Sequence, residues 1–147
     1  MNVVCKIVKL HNQAVIPEKA TFGSAGFDLT ACEKITIEPG KTGIVGTGVT
    51  IEVPFGYEGQ VRSRSGLAAK NGVFVLNSPG TIDSDYRGEL RVILHNAGSN
   101  EFNVIPGMRI AQFVVQPCVV TTFVCVTENE LSSTERDKGG LGSTGLH

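Results

Sequence analysis

No long stretch of this chain repeats its apolar residues with the period of a helix. They come instead in short runs rich in Val, Ile and Thr, cut by Gly, Pro, Asn and Asp. Runs of four to eight such residues suit strands, because β-branched side chains pack well on a pleated surface and the breakers supply turns. The pattern predicts strands over residues 3–9, 27–31, 34–37, 43–53, 57–63, 72–76, 89–95, 109–115 and 119–126. Between them stand Glu38-Pro39-Gly40, Pro54-Phe55-Gly56, Ser78-Pro79-Gly80 and Ile105-Pro106-Gly107. One helical turn is expected, over residues 65–71, with Ser65 as N-cap and Gly72 as a left-handed stop. Many short strands at this spacing predict an all-β fold, a jelly roll or distorted β-barrel. No repeat or linker divides the 147 residues, and 41% hydrophobic content is enough for one core, so residues 1–147 are read as a single domain.

Charge narrows the partners. With 13 basic and 14 acidic residues, the net charge of −1 argues against a broad basic face for nucleic acid and against a polybasic membrane surface. No apolar run approaches the roughly 20 residues that span a bilayer. The opening residues lack the apolar core and cleavage site of a signal peptide. A soluble cytoplasmic protein is expected. Cys5, Cys32, Cys118 and Cys125 form no C-x-x-C pair, and His11, His95 and His147 are far apart. They are therefore read as reduced, mostly core-filling thiols, with no structural zinc. From Glu128 the chain turns polar and ends Gly-rich, which reads as a flexible tail.

Three segments carry more chemistry than turns need. Arg62-Ser63-Arg64-Ser65-Gly66 sets hydroxyls, a glycine and cations at a helix start, which suits an oxyanion or simply a capped turn. Residues 77–88, NSPGTIDSDYRG, put Asp83, Asp85 and Tyr86 in one loop between strands. An ionised Asp there can activate water as a general base, while a long hairpin built on turn-forming Asp and Asn is the alternative. Residues 136–145, RDKGGLGSTG, offer cations, Gly-rich backbone and paired hydroxyls suited to wrapping phosphates, but no P-loop lysine and no following helix. Two weaker segments are SAGFDL at 24–29, with a lone Asp28, and GMRIAQF at 107–113. In the latter, Arg109 and Gln112 are three apart, so an unbroken strand would turn them to opposite faces.

Taken together and in this order, SAGFDL, RSRSGLA, NSPGTIDSDYRGE, GMRIAQF and RDKGGLGSTG resemble the five motifs of the homotrimeric deoxyuridine triphosphate nucleotidohydrolases, the dUTPases. The resemblance runs from Ser24 to Gly145. It implies a jelly-roll homotrimer with active sites shared between subunits and the tail, 128–147, exchanging onto a neighbour. It also implies hydrolysis of dUTP to dUMP and pyrophosphate with Mg²⁺, which keeps uracil out of DNA and supplies dUMP. On the matching positions, Asp83 corresponds to the acid that activates water for attack on the α-phosphorus. Tyr86 corresponds to the aromatic under the deoxyribose. Asn77, Gly80, Thr81 and Ile82 correspond to the uracil-reading hairpin, and Arg91 to a position near the nucleoside. Arg64, Ser65, Gly66 and Gln112 correspond to residues that address the phosphates, and Asp28 to a carboxylate near the metal, acting through its water. Arg136, Leu141, Gly142, Ser143 and Thr144 correspond to the closing tail. Two positions depart from the family pattern: Leu141 stands where an aromatic usually stacks on uracil, and Asp137 where Gly is commoner. The alternatives are a dCTP deaminase on the same fold and a dUTP-responsive regulatory binding protein with weak catalysis.

Overall fold

The computed structural model describes residues 3–141, and its strands are as short as the sequence demands. In chain order they are β1 (Lys6–Lys9), β2 (Phe27–Thr30), β3 (Ile35–Ile37), β4 (Thr42–Gly46), β5 (Val49–Glu52) and β6 (Tyr57–Arg62). The helix α1 (Ser65–Asn71) follows, then β7 (Val73–Val75), β8 (Gly80–Ile82), β9 (Arg91–Asn96), β10 (Phe102–Val104) and β11 (Arg109–Pro117). A 3₁₀ turn, Glu128–Glu130, comes last. All pairings are antiparallel, in four sheets: β2-β11-β6-β8, β4-β9-β7, β1-β5 and β10-β3. Among the described residues they do not close into one barrel. Between the sheets lies a core of aliphatic residues, with Leu29, Val45, Leu90, Val92, Leu94 and Ile110 essentially inaccessible. These alternate with exposed residues along β4 and β9, the period-two signature of a sheet with one buried face. No helix among the described residues is long and apolar enough to cross a membrane.

Several expectations change in detail. The run 43–53 is two strands, because Thr47-Gly48 turns between them and Gly48 has φ +69°. Gly72 ends α1 at φ +67°, as expected, but the N-cap is Arg64 rather than Ser65, and no side chain caps the helix. Residues 119–126 form no strand: Val119, Val120, Phe123 and Val124 are exposed, and the segment pairs with no strand among the described residues. The strands β8 and β10, three residues each, go unsignalled because the Gly, Pro, Asn, Asp and Ser residues around them make their segments read as loops. The cysteines are free, but none fills the core: Cys5 and Cys32 are half-buried, and Cys118 and Cys125 are exposed.

Candidate active site

The sheet β2-β11-β6-β8 gathers the first, second and fourth motif segments at one end. β11 pairs with both β2 and β6, and Gln112 sits opposite Asp28 on one side and Arg62 on the other. A register shift between Arg109 and Ala111 adds a residue to β11, a β-bulge. It reverses the alternation, so Ile110 and Ala111 are both buried while Arg109 and Gln112 both reach towards the Asp28 end. This corrects the reading of opposite faces. The half-buried Asp28 carboxylate lies between two guanidinium groups: Arg64 Nε is 3.3 Å from Oδ1, and Arg109 donates to Oδ2 at 3.1 Å. Arg64 also donates to the Arg109 carbonyl at 2.9 Å. Gln112 donates from Nε2 to the Ser63 carbonyl at 2.9 Å, and Ser63 Oγ accepts from the Val75 amide at 2.9 Å. Gly26 lies against them, and a Cβ there would sit 2.3 Å from Gln112 Oε1 and displace that amide. Ser65 and Gly66 lie exposed at the first turn of α1. An open cavity of about 280 Å³, lined by Asp28, Thr30, Glu18, Lys19 and Arg109, adjoins this cluster.

The hairpin is built on β8, which pairs with β6 through Gly80–Val61, Thr81–Gln60 and Ile82–Gly59. Asp83 follows directly at its end, exposed, and the Tyr86 amide closes a turn onto the Asp83 carbonyl at 3.1 Å. Tyr86 donates its hydroxyl to the Glu89 carbonyl at 2.9 Å, which fixes the ring across the turn. Gly88 makes that possible, because a Cβ there would meet the Tyr86 hydroxyl at 2.3 Å. Asn77 packs over Gly80, its Nδ2 3.1 Å from where a Cβ would stand. Thr81, Ile82, Asp83, Tyr86, Glu89 and Arg91 line a cavity of about 230 Å³. It shares no lining residue with the cavity beside Asp28. Within one chain, then, the cation cluster and the hairpin line two separate cavities.

In the tail, Arg136 donates from Nε to the Gly139 carbonyl at 2.9 Å, and Leu141 is fully exposed. Asp137 has φ +43°, a left-handed conformation that Gly adopts without steric cost. Gly142, Ser143 and Thr144 lie outside the described residues.

One grouping escaped the sequence. His11, Cys32 and Glu89 converge so that their donor atoms all lie within 4.8 Å of one another, although His11 and Glu89 are 78 positions apart in the chain. Burial raises the Cys32 thiol above its usual range, with Glu89 and Glu33 adding to the effect. No spacing rule could have found this trio, because its members come from three unrelated segments.

Comparison with known proteins agrees with this architecture. A family model described as dUTPase matches residues 12–145. The deoxyuridine 5'-triphosphate nucleotidohydrolase of Nautilia profundicola is 51% identical, covering 95% of this chain and 97% of that protein. That of Chlamydia muridarum is 53% identical over 93% of this chain and 95% of its own. Among solved structures, Staphylococcus bacteriophage 80alpha dUTPase with dUPNHPP superposes with a TM-score of 0.89 at 27% identity, covering 97% of this chain and 99% of that one. The chain belongs to the dUTPase family, the dUTP diphosphatases.

Proposed function

We propose that this chain hydrolyses dUTP to dUMP and pyrophosphate, with Asp83 activating the water that attacks the α-phosphorus. The observation that carries this reading is the exposed carboxylate of Asp83 at the end of a stiff β-hairpin, beside a ring locked by its own hydrogen bond. Asp83 accepts the water proton as the new oxygen–phosphorus bond forms. The bond from the α-phosphorus to the oxygen bridging the β-phosphorus breaks, and that oxygen leaves with pyrophosphate. A carboxylate held within reach of the attacking water is suited to this step. Tyr86 carries the deoxyribose, where a ribose 2'-hydroxyl would collide. The backbone of Gly80, Thr81 and Ile82 and the amide of Asn77 read the uracil edge, with Arg91 at the rim of the same cavity. Arg64, Ser65, Gly66 and Gln112 bind the phosphates, and Arg136, Leu141, Gly142, Ser143 and Thr144 close over the nucleotide and exclude water.

The cation cluster and the hairpin do not share a cavity in one chain, which supports reading them as half-sites, each completed by a neighbouring chain in the proposed homotrimer. The exposed apolar segment before the 3₁₀ turn supports an arm that leaves its own chain to pack on another.

Mg²⁺ fits this arrangement in a limited way. Both Asp28 oxygens already face guanidinium groups, so Asp28 suits an ion reached through a water rather than direct ligation. Mg²⁺ keeps most of its waters and needs few protein carboxylates, and the substrate's phosphate oxygens would be its main ligands. When bound it supplies charge compensation to the triphosphate.

The test is to incubate the protein with dUTP, UTP, dCTP and dTTP and follow the products. Pyrophosphate from dUTP alone supports the reading. Ammonia from dCTP, or dUTP binding without turnover, contradicts it in favour of a deaminase or a regulator. In H₂¹⁸O, the label is expected in dUMP; label in pyrophosphate would move the attack away from the α-phosphorus.

A further inference from the structure

We propose that His11, Cys32 and Glu89 form a binding site for a borderline transition-metal ion of the Zn²⁺ or Co²⁺ class, distinct from any Mg²⁺ carried by the substrate. The three donors come from separate segments: His11 from the loop after β1, Cys32 from the turn after β2 and Glu89 from the residues leading into β9. Their ligand atoms already lie within 4.8 Å of one another. A tetrahedral ion with bonds of about 2.0–2.3 Å needs donors about 3.3–3.8 Å apart, so small side-chain rotations close the set.

The surrounding backbone makes room for this cluster. Gly46, the last residue of β4, and Gly48, in the turn that follows, form its floor. A Cβ on Gly48 would come within 3.2 Å of both Cys32 Sγ and His11 Cδ2, and one on Gly46 within 2.7 Å of Glu89 Oε1. Glu89 is held by the Gly48 amide, which donates to Oε1 at 2.8 Å and leaves the second carboxylate oxygen available. Glu33 is held by the Gly46 amide, which leaves a second acid beside the set. The cluster faces an open cavity of about 480 Å³, lined also by Asn12, Gln13 and Arg91, through which an ion and a fourth, water ligand can enter.

Donor chemistry selects the ion. A thiolate, an imidazole and a carboxylate suit Zn²⁺ or Co²⁺, whereas Mg²⁺ prefers oxygen alone. Such an ion would tie the turn after β2, the strand that carries Asp28, to the segment that leaves the hairpin.

Titration of the chelator-treated protein with Co²⁺ tests this directly. One equivalent per chain is expected to give a thiolate-to-cobalt charge-transfer band in the near ultraviolet and intense visible d–d bands. Excess Mg²⁺ should displace neither. Cys32→Ser should abolish the charge-transfer band, whereas Cys5→Ser, Cys118→Ser and Cys125→Ser should leave it. Cys32 is half-buried, so His11→Ala, on an exposed loop, is the second probe. Together with Glu89→Gln, which keeps an acceptor for the Gly48 amide, it should weaken Co²⁺ binding at least tenfold. No charge-transfer band in the parent protein overturns the site. So does a band that survives Cys32→Ser, or affinity unchanged in both His11→Ala and Glu89→Gln.

Discussion

At the scale of single residues, the two half-sites are organised by opposite means. Asp28 is saturated with charge partners, its two oxygens facing Arg64 and Arg109, and so acts as the anchor that holds two cations in one place. Asp83 stands exposed, and its side chain has no hydrogen bond or ion pair among the described residues, which leaves its oxygens open for the proposed role of base. Replacing Asp83 by Asn should leave folding and dUTP binding intact while lowering turnover by about 10²–10⁴, the usual worth of a positioned general base. A parental kcat in that variant would remove Asp83 from the reaction. Gly88 is tested through Tyr86: Gly88→Ala puts a methyl where the hydroxyl now lies and breaks its bond to Glu89. Comparing kcat/KM for dUTP and UTP, the preference for the deoxynucleotide should narrow by about tenfold, the scale of discrimination that a displaced contact of this kind carries. An unchanged ratio would mean the ring is not held by this contact.

Among the secondary-structure elements, what the sequence could reveal depended on length and partners. The helix, its Gly72 stop and the central strands β6, β9 and β11 announce themselves through β-branched runs and breakers. The strands β8 and β10 do not, although β3 and β7, equally short, fall within predicted runs, and residues 119–126 have the composition of a strand but pair with none among the described residues. The bulge in β11 is equally silent in sequence, yet it brings Arg109 and Gln112 round to the Asp28 end of the sheet. The motif segments were legible because their side chains are local. The His11–Cys32–Glu89 cluster was not, because only the packing of three loops creates it. Gly72 offers an energetic test at this scale. Its φ is +67°, and a Cβ added there would stand 2.8 Å from the Gly98 amide nitrogen, which leaves no room for a side chain. Gly72→Ala should lower stability by about 1–3 kcal/mol, read from the midpoint of denaturant unfolding. No shift would mean that α1 and β7 relax around the added methyl.

For the whole molecule, the separation of the two half-sites matters most. A hairpin carrying the proposed base and a cluster of cations proposed to grip phosphates occupy cavities with no residue in common, and on the proposed reading a single chain holds two halves of different centres. Combining Asp83→Asn chains with Arg64→Ala chains tests this most directly. Each variant alone is expected to be nearly inactive. Chains co-refolded as mixed oligomers should recover part of the parental dUTPase rate, because some centres then pair an intact hairpin with an intact Arg64 from its neighbour. If the mixture stays as inactive as its components although mass analysis shows mixed oligomers, catalysis is confined within one chain and the shared centre is wrong.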